Sequence, residues 1–174
     1  MRDEGYNEAI DNPDHDGGIR TAVRVRFEDP AAAKARYGPI ASWDTSGITD
    51  MNALFRRKKD FNEDISRWDV SNVKDMGDMF TRATSYNGDL SSWNVSNVEI
   101  MECMFADAAS YNGDLSSWNV SNVVNMYGMF DGATSFDRQL GGAWSTSTAN
   151  KVDMFYNSPG TISGRRKDAT GTIE

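Results

Sequence analysis

Cysteine is almost absent from this sequence of 174 residues, since Cys103 is the only one. A single cysteine excludes an intramolecular disulfide as a source of stability. Histidine is equally scarce, and we interpret His15, which stands alone in an acidic stretch, as a solvated residue. The sequence also shows no paired acid–base or nucleophile set of the kind that catalysis requires. We therefore predict that the protein is not an enzyme, with no catalytic residue and no cofactor.

Long apolar runs and an excess of positive charge are also lacking. No stretch approaches the about 20 apolar residues that span a bilayer, and residues 1–6 show no apolar segment of a secretory signal. The formal net charge is −8, which argues against general binding to nucleic-acid phosphates. We therefore expect protein partners, no nucleic acid and no transmembrane segment.

A repeat is the strongest positive feature of the sequence. The tryptophans lie at 43, 68, 93, 118 and 144, with spacings of 25, 25, 25 and 26 residues. The phrase LSSWNVSNV occurs at 90–98 and again at 115–123. A fixed period in this range indicates stacked repeats. One repeat cannot bury its Trp, Met and Phe side chains alone, so we expect the repeats to share one core.

Each repeat predicts one strand and one helix. Leu90, Trp93 and Val95 have the spacing of a leucine-rich-repeat strand, and Ser96 with Glu99 has capping-box spacing. The apolar residues that follow recur at helical spacing: Val98, Met101, Met104, Phe105 and Ala108. The predicted fold is an α/β solenoid. It is a leucine-rich-repeat-like, right-handed stack of about five 25-residue turns, each with a short parallel strand and a short helix.

The sequence predicts a helical cap before the first repeat. Apolar residues recur at helical spacing over 19–27, with Asp16 as the N-cap, and Pro30 suits the first turn of a second helix that Gly38 closes. The last repeat is degraded, with Val152 in the place of a methionine, as expected of a terminal repeat. We divide the chain into a flexible acidic N-terminus (1–15), a helical N-cap (16–42), the repeats (43–156) and a flexible tail (157–174).

The repeat phrase resembles a known family. The sequence WDVSNV at 68–73, followed by DM at 75–76, MF at 79–80 and ATSYNGDL at 83–90, is similar to the BspA-like leucine-rich-repeat surface proteins. These were once catalogued as a mycoplasma domain of unknown function. The resemblance covers roughly residues 40–156. Residues 19–23 and 35–40 resemble the N-terminal part of such proteins in unicellular algae and bacteria. The resemblance implies a solenoid that binds proteins, often at a cell surface, and no catalytic residue.

Two functional interpretations follow. The first is a non-catalytic protein–protein interaction module, adhesive or scaffolding. The second is a small accessory or structural subunit of a larger complex, for example in an algal organelle. The resemblance implies the cell surface, whereas the missing signal leaves an organelle or the cytoplasm open as the location.

Acidic residues suggest two cation sites, each with a structural alternative. Five residues match an EF-hand calcium loop: Asn12, Asp14, Asp16, Gly17 and Ile19. The last position of such a loop should be Glu but is Val23. This favours the alternative that the segment is a polar stretch before the first helix, with Asp16 as its N-cap. Asp64, Asp89 and Asp114 share one repeat position, so they could hold a cation together or each bind the amides of its own turn. The second alternative is the commoner one.

Two further motifs receive a structural interpretation. Asn94 and Asn119 each begin an N-glycosylation sequon, but adjacent stacked repeats leave little room for two glycans, which favours a chance match. Cys103 lies on the predicted outer side of its helix. We interpret it as a plain exposed thiol rather than a crosslink or a metal ligand.

Two sides of the predicted stack compete as the binding surface. The strand side would offer small polar and acidic residues: Asp44, Asp69, Asn94 and Asn119. The helix side would offer a basic run and more varied chemistry: Arg56, Arg57, Lys58, Lys59, Asp78, Glu102 and Tyr127. The basic run either complements the negative end of the predicted helix or docks an acidic partner. We predict that protein binding uses the helix side and this basic run.

Overall fold

The computed structural model describes residues 16–174, without the side chains of Asp16 and Gly17. The calcium-loop candidate, His15, the N-cap side chain and the acidic N-terminus over 1–15 therefore lie outside the described residues. The regular elements are few: α1 (Asp16–Glu28), α2 (Pro30–Tyr37), a 3-10 turn (Ile40–Ser42), β1 (Gln139–Leu140), α3 (Ala143–Thr146) and β2 (Thr161–Ile162).

The predicted solenoid of repeated strand–helix turns is wrong. No helix and no strand occurs over residues 43–138, where the sequence predicted four of each. The repeats are built from turns instead. They are joined by isolated parallel bridges at one position per repeat, which link Asp50, Asp75, Ile100, Asn125 and Asn150 in succession.

The predicted helices do not form because their amides bond to the next repeat. Met101, Cys103 and Phe105 donate their N–H groups to the carbonyls of residues 125, 127 and 129 at 2.8–2.9 Å. An α-helix would direct each of these groups to the carbonyl four residues earlier. Cys103 and Asp107 also have left-handed φ angles of 51° and 54°, which a right-handed helix excludes. The predicted capping box at Ser96 consequently has no helix to cap.

The predicted strands do not form because side chains replace the main chain as the link between repeats. Asn97 Nδ2 donates to the Ser71 carbonyl at 2.7 Å, and Asn122 Nδ2 donates to the Ser96 carbonyl at 2.7 Å. A strand ladder would instead require regular N–H to carbonyl pairs along this segment. The alternation of Trp93 with Val95 was interpreted as a strand, but both residues are buried in an irregular segment.

The tryptophans form a buried column, as the period predicts. Each indole Nε1 donates to a main-chain carbonyl, and in the later repeats this carbonyl belongs to the repeat before. Trp93 donates to Ile65 at 3.1 Å, and Trp118 donates to Leu90 at 2.9 Å. Since a buried indole N–H needs a partner, this bond fixes the register of each repeat against its neighbour.

Two further aromatic columns run beside the tryptophans. The ring of Phe105 lies 4.0 Å from that of Tyr111 in its own repeat, measured between centroids. It also lies 5.4 Å from Phe80 and 5.5 Å from Phe130 in the neighbouring repeats. Stacking therefore acts both within and between repeats, and the core runs through the whole stack.

In the last repeat, the sequence placed Val152 at the methionine position, and this prediction is wrong. Main-chain bonds place Lys151, not Val152, in the column of Met126. The extra residue at Gly141–Gly142 is compensated by one residue fewer after the tryptophan, which restores the period. Lys151 is buried, and its Nζ donates to the Ser147 carbonyl at 2.6 Å. Burial is the main reason that the pKa of this ammonium group is lowered.

The two helices α1 and α2 cover the first repeat, and the structure has helices at both places where the sequence predicted them. On α1, Arg20 donates to the Asn52 carbonyl and forms an ion pair with Asp50 at 3.0 Å. The ring of Phe27 meets that of Phe61 edge-on at 6.0 Å. The helices thus bond and bury the side of the first repeat that has no preceding repeat.

Residues 157–174 cover the opposite end, where the sequence predicts a flexible tail. β2 pairs with β1 in parallel, and Ile162 and Ile173 are buried. The amide of Phe155 donates to the Gly171 carbonyl at 3.0 Å, where an inner repeat would use the carbonyl of the next repeat. The tail is polar overall, so its two buried isoleucines give little sequence signal.

No helix over residues 16–174 is both long enough and apolar enough to cross a membrane.

Candidate protein-interaction surface

One edge of every repeat points outward and carries the side chains that differ most between repeats. We call this surface the turn face and define it by residues 52–57, 77–82, 102–107, 127–132 and 152–157. Hydrogen-bonded chains lie about 4.8 Å apart, so equivalent residues form columns with roughly that spacing. Inward positions of these segments hold Met, Leu and Phe, whereas outward positions range from arginine to tyrosine.

The structure brings most of the predicted binding residues onto the turn face, although that surface is not helical. Glu102 and Tyr127 occupy the same position in successive repeats, and Asp78 occupies the next position in the second repeat. Arg56 and Arg57 end the first segment. Lys58 and Lys59 follow directly: Lys58 turns toward Phe27 of α1, and Lys59 is exposed.

Two cations of the basic run at residues 56–59 contact other side chains, and two form no ion pair within the described residues. Arg56 lies 3.5 Å from the Asp78 carboxylate, and the Lys58 ammonium lies 4.4 Å from the ring centroid of Phe27. Arg57 and Lys59 are exposed and form no ion pair within residues 16–174. Since no helix ends here, the run does not complement a helix dipole, and the first of its two interpretations is wrong.

The opposite end of the turn face is acidic and partly apolar. Tyr127, Val152 and Tyr156 are 40–45% exposed, an unusual exposure for large apolar side chains in this chain. Asp131 and Asp153 lie among them, and neither forms an ion pair with a basic side chain of the described residues. Partial burial, followed by the charges of its acidic neighbours, raises the pKa of the Asp131 carboxyl.

The Asp153 carboxylate and the Tyr127 phenol interact directly in this region. The negative charge of Asp153 is the largest cause that raises the pKa of the Tyr127 phenol. Towards the middle of the face, one pair of opposite charges is matched and one carboxylate is hydrogen-bonded to an uncharged amide. Arg82 Nε lies 3.2 Å from Asp107, and Asn125 Nδ2 donates to Glu102 at 2.6 Å. Apart from Glu102, the charges of the turn face that have no ionic partner within residues 16–174 therefore lie towards its two ends.

On the competing surface, which the sequence predicted as a strand side, the polar side chains accept hydrogen bonds from their own turns. Asn94 and Asn119 each accept the amide of the serine two residues later at 3.2 Å. Asp44 and Asp69 accept the equivalent amides at 3.0 and 2.9 Å. These oxygens stabilise their own turns, which also accounts for the asparagines of the two sequons without a glycan.

The carboxylates of Asp64, Asp89 and Asp114 likewise bind groups of their own turns. This confirms the commoner interpretation of this column, that each aspartate binds the amides of its own turn. Asp114 accepts the Ser116 hydroxyl at 2.6 Å and the Ser116 amide at 3.0 Å. Asp64 and Asp89 accept the amides two residues later at 2.9 Å. The serine hydroxyl and amide lower the pKa of each carboxyl. Over residues 16–174, no group of three or more acidic, His or Cys side chains could hold a metal ion.

Cys103 lies at the centre of the turn face and is half-buried rather than plainly exposed. Its sulfur would lie 3.3 Å from a Cβ atom on Gly128, at the equivalent position of the next repeat. Burial, followed by the charges of Asp78 and Glu102, raises the pKa of the thiol to about 11. The thiol is therefore protonated near neutral pH, which makes it a weak nucleophile.

Sequence reasoning missed several residues of this surface: Arg82, Asp131, Asp153, Val152 and Tyr156. The 25-residue period could have identified them, because each is separated by one or more periods from a residue that the sequence predicted for the binding surface. Val152 was missed for a different reason, since the alignment placed it in the core.

Comparison with known proteins identifies a family. The family model described as "Mycoplasma protein of unknown function, DUF285" matches residues 25–144 and 90–161. No curated protein and no solved structure gives a significant match. The match agrees with the family that the repeat phrase resembles, while the leucine-rich-repeat character is not shown. Because the matched residues cover most of the chain, the protein belongs to this family of mycoplasma-type repeat proteins of unknown function.

Proposed function

We propose that the protein is a non-catalytic protein-interaction module and that its turn face is the binding surface. The observation that carries the proposal is the contrast between two sets of positions. Inward positions repeat from unit to unit, whereas the outward positions of the turn face change in charge, size and polarity. Variable side chains on a regular frame are how repeat proteins recognise other proteins.

The chemistry of the turn face supports the proposal. Its exposed tyrosines, Tyr127 and Tyr156, and its unpaired Arg57 are of the residue types that are enriched in protein interfaces. The apolar side chains lie beside unpaired carboxylates, so a partner could bury the former while it neutralises the latter. The raised pKa of Cys103 also disfavours a catalytic role for the only thiol.

A capture experiment with matched variants tests this proposal. Immobilised protein is exposed to extract from the native source as wild type, as a turn-face variant (Tyr127→Ser, Val152→Ser, Tyr156→Ser) and as a control variant. The control (Asp69→Ser, Asn94→Ser, Asn119→Ser) changes the competing surface by the same number of residues. Serine can still cap the control turns.

We expect the wild type and the control to retain the same protein partner, and the turn-face variant to lose it. All three chains must first show cooperative unfolding, so that loss of capture reports on the surface rather than on folding. Retention of the partner by the turn-face variant, or no retained protein with any chain, would overturn the proposal.

A further inference from the structure

Apart from Glu102 in the third repeat, the charges of the turn face and its border that have no ionic partner within residues 16–174 form two sets of opposite sign towards opposite ends. The basic set consists of Arg57, which ends the first segment of the turn face, and the exposed Lys59, which lies two residues beyond it. The acidic set consists of Asp131 in the fourth repeat and Asp153 in the fifth. With about 4.8 Å between hydrogen-bonded repeats, Arg57 and the fifth repeat are roughly 19 Å apart. This distance is too long for the two sets to neutralise each other through water, given a Debye length of about 8 Å at physiological salt.

This arrangement is complementary to itself when one copy is turned end to end. A two-fold axis through the third repeat would place the first repeat of one copy on the fifth repeat of the other. Arg57 and Lys59 would then face Asp153, while Asp131 would lie one repeat further along, opposite the second repeat. The same contact would occur twice, as a two-fold interface requires.

The third repeat suits a position on the axis. Ala106 is buried and Cys103 is half-buried, so neither side chain projects far from this repeat, which permits close approach. Its two carboxylates would otherwise repel their copies across the axis. Asp107 is paired with Arg82, and Glu102 accepts a hydrogen bond from the uncharged Asn125 Nδ2. The pairing of Asp107 reduces the repulsion at the centre.

The exposed apolar residues of the turn face would also be covered in this two-fold arrangement. Tyr127, Val152 and Tyr156 lie beside the acidic set, where the arginine and lysine side chains of a second copy would arrive. Arginine packs favourably on tyrosine rings, and its carbon chain covers apolar surface. A contact of this kind would remove large apolar side chains from water at the same place where it pairs the charges.

We infer that the turn face binds a second copy of this chain in an antiparallel, two-fold arrangement. The inference rests on the proposed function, that the turn face binds protein, and specifies the partner. Arg57 and Lys59 bind the acidic set around Asp153, and the third repeat lies on the axis. An unrelated acidic or basic protein would satisfy only one of the two charge sets.

A charge-exchange experiment tests the inference. The first variant carries Arg57→Glu and Lys59→Glu, and the second carries Asp131→Lys and Asp153→Lys. Arg67→Glu with Lys74→Glu is the matched control, since it changes the net charge as the first variant does but lies off the turn face. Sedimentation equilibrium at low and at physiological salt gives the dissociation constant of each dimer.

We expect the wild type and the control to dimerise, and each turn-face variant to dimerise at least tenfold more weakly. A mixture of the two variants should restore the dimer, because the mixed pair again opposes unlike charges at both contacts. The restored dimer also shows that both variants fold. Should the mixture stay monomeric, Asp153→Lys with Tyr156→Lys replaces the second variant, and a second failure overturns the inference.

Crosslinking tests the antiparallel register. In a Cys103→Ser background, Glu102→Cys places a thiol in the third repeat, whereas Asn52→Cys places one at the equivalent position of the first repeat. A short bis-maleimide should crosslink Glu102→Cys to its copy and leave Asn52→Cys uncrosslinked, since only the third repeat meets itself. Equal crosslinking of both would overturn the antiparallel arrangement.

The result separates this inference from the proposed function. A wild type that stays monomeric overturns the inference even when the capture experiment retains a partner through the turn face. A dimer that neither charge exchange nor crosslinking places on the turn face overturns the inference as well. Loss of both dimerisation and capture removes the proposed function along with it.

Discussion

The hydroxyl oxygen of Tyr86 lies 2.6 Å from the point where a Cβ atom on Gly88 would stand. The same relationship recurs in the next repeat between Tyr111 and Gly113, at 2.5 Å. In the first repeat phenylalanine occupies the tyrosine position, and Glu63 occupies the glycine position. Glycine therefore accompanies tyrosine because the hydroxyl fills the space that a side chain would need.

This relationship predicts a strong coupling between residues 86 and 88. Gly88→Ala should lower the free energy of unfolding by about 1–3 kcal/mol through overpacking. Tyr86→Phe alone should have little effect, since the buried hydroxyl has no hydrogen-bond partner within residues 16–174. In the Tyr86→Phe background, Gly88→Ala should cost less than half as much. Denaturant titration of the four chains measures the coupling, and additive effects would contradict the explanation.

The stacked aromatic core predicts a strong dependence of stability on position in the stack. Phe105→Ala removes a ring that stacks on Phe80, Tyr111 and Phe130, so it should cost about 3–5 kcal/mol. Tyr156→Ala changes a side chain that is 45% exposed and should cost under about 1 kcal/mol. Unfolding midpoints of the two variants provide the comparison. Equal midpoints would mean that the repeats do not share one core.

Gly171 predicts that the C-terminal segment is part of the folded unit. It has a φ of +78°, and a Cβ atom there would lie 2.2–2.6 Å from the main chain of residues 155 and 156. Gly171→Ala should therefore destabilise the protein well beyond the about 1 kcal/mol that a left-handed alanine costs.

Gly164→Ala is the matched control for that substitution. Gly164 has a similar φ of +72°, but nothing lies within 4 Å of its Cβ position. The difference between the two variants isolates the steric contact with the last repeat. Thermal unfolding and amide exchange at Phe155 would report it, and equal losses for the two variants would indicate that the segment is not packed there.

The aspartate column predicts a specific acid sensitivity. The pKa of each carboxyl is lowered in the folded state, so its contribution to stability is present above the unfolded pKa of about 3.9 and is lost as the pH falls further. Asparagine can accept the same amide bond, as Asn94 does.

The triple variant Asp64→Asn, Asp89→Asn, Asp114→Asn should keep its turns but be less stable than the wild type at pH 7, because asparagine lacks the charge that the serine groups stabilise. Below about pH 4 it should lose stability less steeply, because three of the titrating groups are gone. Urea titrations at several pH values would measure both. A variant with the same pH dependence as the wild type would show that these turns do not contribute to acid unfolding.

The sequence predicted the period, the buried tryptophan column and the two N-terminal helices, because each depends on apolar spacing alone. It failed on the secondary structure of the repeats. The positions of Met101, Met104 and Phe105 fit a helical face, but two consecutive tight turns place the same residues inward. Apolar spacing does not reveal where the amides point, and left-handed φ angles at Cys103 and Asp107 leave no clear signal in residue type.

The candidate surface was predicted in part, for a related reason. Side chains such as Glu102 and Tyr127 point outward in a helix and in successive turns alike, so their exposure was predicted correctly from the wrong fold. Which cations stay unpaired could not be predicted, because it depends on contacts between neighbouring repeats. Arg56 is engaged by Asp78 and Lys58 by Phe27, whereas Arg57 is left free within the described residues.

The columns of the turn face depend on amides that bond from one repeat to the next. In the second repeat, Met76, Asp78 and Phe80 donate to the carbonyls of Ile100, Glu102 and Met104 at 2.8–2.9 Å. Scalar couplings across hydrogen bonds, measured by NMR on isotope-labelled protein, identify each donor and acceptor pair directly. We expect couplings from these amides to the carbonyls 24 residues later. A coupling from the Phe80 amide to the Met76 carbonyl, as in an α-helix, would contradict the turn-built repeat and the surface derived from it.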